Sequence, residues 1–79
     1  MSIEMINNIG DRLVTKMRIV NLYKESGEFA SNFRKCPFYS EFVGMTQMLK
    51  TLGIEFEIDW DVSVSKMTAV TVMGKRFEV

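Results

Sequence analysis

Histidine is absent from this 79-residue chain, and cysteine and proline occur once each. Without an imidazole the chain has neither the commonest general base nor the commonest metal ligand at neutral pH. A structural zinc site would have to be built from one thiol and carboxylates, which excludes the usual four-ligand sets. The single Cys36 has no partner for an internal disulfide and no histidine to lower its pKa, so it reads as a structural thiol between Lys35 and Pro37. No glycine-rich phosphate loop, serine–histidine pairing, cysteine pair or haem-attachment motif occurs. The expectation is a protein without enzymatic activity, cofactor or metal.

Long apolar runs are missing too. Nothing approaches the roughly 20 residues that span a bilayer. The start, "MSIEMINNIGDRL", lacks the basic beginning and apolar centre of a secretion signal. No membrane association and a cytoplasmic location are therefore expected. An excess of either charge is also absent, since ten Lys/Arg balance ten Asp/Glu. The distribution is only mildly uneven: residues 1–53 carry seven basic against five acidic side chains, residues 54–79 three against five. A binder held mainly by phosphates normally carries a pronounced basic footprint, which this chain does not.

What is present is an ordinary globular balance, with 47% hydrophobic and 25% charged residues. The length suits one domain over 1–79. A chain this short buries only about 60% of the surface its unfolded form exposes, so a homodimer would relieve a small core.

From Ser2 to about Lys24, Ile6, Ile9, Leu13, Met17 and Val20 recur at spacings of three and four, which predicts a long amphipathic helix. Ser2 suits its N-cap and Glu25–Gly27 its stop. Gly10 costs about 1 kcal/mol relative to alanine inside a helix and marks a close neighbour. Ile19, Leu22 and Tyr23 lie off the stripe, so a second helix or another subunit is needed to cover them. "GEFASNFRKC" reads as one or two loose helical turns. Pro37 fits the first turn of a second helix whose inward stripe is Phe38, Phe42, Met45, Leu49 and Leu52, with Gly53 as a left-handed cap.

In "IEFEIDWDV" apolar and acidic residues alternate, predicting a strand from Ile54 to about Val64. Ile54, Phe56, Ile58, Trp60, Val62 and Val64 point one way, with Trp60 buried against the helices. Glu55, Glu57, Asp59 and Asp61 point the other. "AVTVMGKRFEV" reads as a hairpin turning at Gly74–Lys75, with Val70, Val72, Phe77 and Val79 on one face. A three-residue loop, Ser65–Met67, keeps the apolar side continuous by pairing Trp60 with Val72. The fold expected is α+β: two amphipathic helices packed on a three-stranded antiparallel β-meander, in the order α-α-β-β-β.

Two surfaces are candidates for function. The acidic row Glu55, Glu57, Asp59 and Asp61 spaces its carboxylates roughly 6.5–7 Å apart, too far to converge on one cation. It is either a solvated face or a docking surface for a basic partner, protein or otherwise, which would act by steering association. Arg12, Lys16 and Tyr23 on one flank of the first helix join charge to an aromatic ring, as nucleic-acid modules do. Ile19, Leu22 and Tyr23 are the candidate dimer interface. Met45 and Met48 read as core and rim, with adaptable binding as the alternative. The function expected is that of a small non-catalytic regulator or adaptor that binds another protein. A nucleic-acid-binding accessory protein is the second reading, and a sensor of a small apolar ligand the third.

Overall fold

Helix α1 (Ile3–Glu25) begins where Ser2, extended at φ −73° and ψ 155°, accepts the Met5 amide on its hydroxyl at 3.2 Å. It ends at Ser26, whose amide donates to the Leu22 carbonyl, and Gly27 follows at φ +77°. Helix α2 (Pro37–Thr51) starts on a proline, which lacks only an amide that the first turn leaves unbonded. Gly53 stops it at φ +72°: the Ile54 amide donates to Leu49 and the Gly53 amide to Lys50. That pair of bonds is the Schellman arrangement that satisfies terminal carbonyls. The structure, a computed structural model, describes residues 1–27 and 35–79. Most of the expected helical turns between Gly27 and Cys36 lie outside the described residues.

Strands β1 (Phe56–Asp61), β2 (Lys66–Val72) and β3 (Lys75–Glu78) form an antiparallel sheet in the order β1-β2-β3. The order of elements is the expected α-α-β-β-β. Helix α1 lies over β2 and β3, and α2 packs antiparallel on α1, with the Tyr23 ring stacked on Phe38 at 5.4 Å and Lys16 paired to Glu41 nearer the middle. Leu13, Val14, Met17 and Val20 from α1, Phe42 and Leu49 from α2, and Met67, Val70 and Val72 from β2 make one buried cluster.

The sheet departs from the expected register at both turns. The hairpin turns at Met73–Gly74, with φ of +49° and +85°, and pairs Val72 with Lys75 and Val70 with Phe77. Positive φ at both central residues gives the two-residue turn whose twist matches the strands. The shift keeps the apolar residues on one face and sets Phe77 in Gly10's space. A Cβ on Gly10 would lie 2.4 Å from the Phe77 ring, the close neighbour the helical glycine implied.

At the other turn, β1 ends at Asp61 instead of Val64, and residues 62–65 form a four-residue loop in place of the expected Ser65–Met67. Phe56, not Trp60, faces Val72. The ladder slips between Asp59, opposite Ala69, and Trp60, opposite Met67, leaving Thr68 as the extra residue of a bulge. Met67 and Val70 are three apart, and the extra residue lets both join the same buried cluster.

Trp60 is 44% exposed, contrary to the expected burial, and Val62 and Val64 are exposed as well. Helix α1 covers β2 and β3, and at this end of the edge strand the Lys24 ammonium stands 5.6 Å from the indole centre. Leu52 also departs from its inward stripe. It is the C-cap residue, and the chain turns away there, leaving it exposed.

Candidate functional site

The acidic row does not act as one group, because the neighbouring strands and the bulge treat its members differently. Asp59 pairs with Arg76, which reaches across β2 over the small Ala69, and the same guanidinium binds Glu78 at 2.8 Å. The hydrogen bond that Arg76 donates to Glu78, followed by the one it donates to Asp59, holds its pKa above the usual value. Asp61 turns into the loop and accepts both the Ser63 hydroxyl, at 2.5 Å, and the Ser63 amide, at 3.0 Å. The hydroxyl bond and then the amide bond hold its carboxyl below the usual carboxylate range. Glu55 and Glu57 are exposed and carry no ion pair among the described residues. They border an open concavity of about 430 Å³ whose floor includes Phe56, Thr71 and Met73.

The basic and aromatic flank of α1 is drawn towards α2. Lys16 pairs with Glu41 and stands 5.5 Å from the centre of the Phe38 ring, while Tyr23 stacks on that ring. Arg12 alone remains exposed, with no hydrogen bond or ion pair among the described residues. The residues considered for a dimer separate likewise: Ile19 and Tyr23 are half-buried, and Leu22 is exposed beside Arg18, Glu25 and Lys66. The second helix supplies the cover for Tyr23.

A third surface lies between the helices. Ile9, Leu13 and Arg12 from α1 and Glu41, Gly44, Met45, Met48 and Leu49 from α2 line an open groove of about 530 Å³. Its walls are almost wholly apolar, and Met48 is 60% exposed. Gly44 sits in the middle of a helix, and no described residue comes within 4 Å of where its Cβ would be, so packing among the described residues gives no reason for a glycine there. Sequence reasoning read Met45 and Met48 as core and rim, with adaptable binding as the alternative. It missed the groove, for which the unexplained mid-helix Gly44 and the off-stripe Met48 were the available signals.

Cys36 is fully buried, and its carbonyl accepts the Tyr39 and Ser40 amides at the start of α2. Among the described residues no three acidic or cysteine side chains come together to hold a metal ion, and no helix is long and apolar enough to cross a membrane. No family model, curated protein or solved structure matches this chain.

Proposed function

We propose that this chain is a small non-catalytic regulator or adaptor that acts by binding another protein, and that the groove between α1 and α2 is its binding surface. The observation that carries this reading is the groove itself, an apolar channel left open between two helices. An amphipathic helix of the partner suits it. Such a helix lays apolar side chains into grooves of this kind, and the absent side chain at Gly44 lets a backbone approach closely. Met45 and Met48 adapt their shape to the ligand, and the unpaired Arg12 at the rim suits an acidic residue on the incoming helix.

Affinity capture from native extract, with and without nuclease, tests the reading. A partner that survives nuclease and is lost with Met48→Lys supports it. Loss of every partner on nuclease treatment transfers the function to nucleic acid. The nucleic-acid reading itself has little behind it, since Lys16 and Tyr23 are already engaged by α2.

A cytoplasmic homodimer belongs to the same proposal, with Leu22 as the contact left exposed on the candidate interface. Sedimentation at micromolar concentration gives a dimer that Leu22→Glu dissociates. A monomeric wild type removes this element and leaves the groove untouched.

A further inference from the structure

The alternation in "IEFEIDWDV" has a backbone counterpart. In an antiparallel ladder the N–H and C=O of one residue face the same neighbour, and those of the next residue face the opposite side. The Glu55 carbonyl accepts the Met73 amide at 2.9 Å, and in the same register Glu57 opposes Thr71 and Asp59 opposes Ala69. Those residues therefore bond to β2. Phe56 and Ile58, between them, turn their amides and carbonyls away from β2. β1 is an edge strand, and among the described residues no strand pairs with its outer side.

The side chains along this edge select what can pair with it. Glu55 and Glu57 flank the open backbone groups on the polar face of the sheet, while Phe56 and Ile58 are half-buried on the other. A second copy of β1 would bring carboxylates against carboxylates, which destabilises a cross-strand pair. A strand with basic residues at alternate positions meets the opposite situation. The other edge of the sheet offers no such selection: β3 is four residues long, and its Arg76 and Glu78 bind each other. At Asp59 the bulge and the Arg76 pair end the straight acidic stretch.

We propose that the free edge of β1 from Glu55 to Ile58 receives an extended segment of a partner protein as a fourth strand, with Lys or Arg at alternate positions and apolar residues between. The backbone of Phe56 and Ile58 supplies the ladder bonds, and Glu55 and Glu57 set the register by pairing with successive basic side chains. The apolar residues of the segment extend the inner face beside Phe56 and Ile58. This inference rests on the reading of the chain as a protein-binding module but uses a surface separate from the groove.

The probe is a capped octapeptide alternating lysine and valine, compared with an alternating glutamate–valine peptide and with a lysine–valine peptide of the same composition in blocks. Amide exchange followed by NMR reports on the edge directly. The alternating lysine peptide slows exchange at Phe56 and Ile58 at least tenfold at saturation, and the block peptide does not. Glu55→Lys/Glu57→Lys reverses the preference, so that the glutamate peptide binds and the lysine peptide falls at least tenfold in affinity. Met48→Lys leaves peptide binding unchanged, which separates this outcome from the fate of the groove. Equal binding of the block and alternating peptides, or binding without protection at Phe56 and Ile58, overturns the proposal.

Discussion

Asn21→Ala destabilises the protein by about 2–4 kcal/mol, because two backbone groups lose their partner at once. The Asn21 amide donates to the Met67 carbonyl at 2.9 Å, and its oxygen accepts the Met67 amide at 3.2 Å. Met67 is 1% exposed and lies next to the bulge, beyond the reach of β3. A side chain from α1 thus supplies the ladder bonds that a strand would otherwise make. Alanine leaves both groups unsatisfied and adds a small void. In thermal unfolding the loss appears as a fall in Tm on the order of 10–30 °C for a chain of this size. Asn21→Asp separates the two bonds, since at neutral pH its carboxylate keeps the acceptor for Met67 N–H but faces the Met67 carbonyl without a proton to donate. That contact raises the pKa of the introduced carboxyl in the folded state. Its stability relative to wild type therefore recovers as pH falls through that pKa and declines as pH rises. A Tm within 3 °C of wild type for Asn21→Ala would show that the bulge does not depend on this clamp.

Gly10→Ala also destabilises, although alanine is the better helix former by about 1 kcal/mol. The added methyl meets the Phe77 ring at 2.4 Å, and that ring is held between α1 and β3 with Lys75 at 5.4 Å from its centre. Overpacking of this kind costs about 1–3 kcal/mol, which exceeds the propensity gain over most of that range and leaves a net loss of up to about 2 kcal/mol. Phe77→Leu makes room. The double variant Gly10→Ala/Phe77→Leu is therefore more stable than the sum of the single changes predicts, and the coupling measured by denaturant unfolding locates the contact. A stabilised Gly10→Ala would place Phe77 elsewhere.

Both helices and the order of all five elements were legible because each rests on local chemistry. Ser2 and Gly53 cap helices from within a turn of their ends, and the stripe from Leu13 to Val20 needs only the helical period. The sheet face was legible for the same reason from Phe56 to Ile58. The register was not. Choosing between Gly74–Lys75 and Met73–Gly74 requires knowing that Phe77 must sit over Gly10, a contact between residues far apart in the chain. The bulge at Thr68 depends likewise on Asn21 being in place to hold Met67, and the exposure of Trp60 on α1 lying across β2 and β3.

The acidic row shows the same division. Its alternation was plain, yet Asp59 and Asp61 are engaged by Arg76 and Ser63, and only Glu55 and Glu57 remain unpaired among the described residues. The groove was hidden because three of its lining residues come from α1 and five from α2, and it exists only where the two helices meet.

The methionine methyl groups offer the most direct test of the binding surface. Met45 and Met48 line the groove, whereas Met17 and Met67 are in the core, 0% and 1% exposed. In a methyl-labelled protein titrated with the partner recovered by nuclease-resistant capture, the Met45 and Met48 resonances shift as the complex forms, while those of Met17 and Met67 hold their positions. An intact complex in which Met45 and Met48 do not move would contradict the assignment of protein binding to the groove.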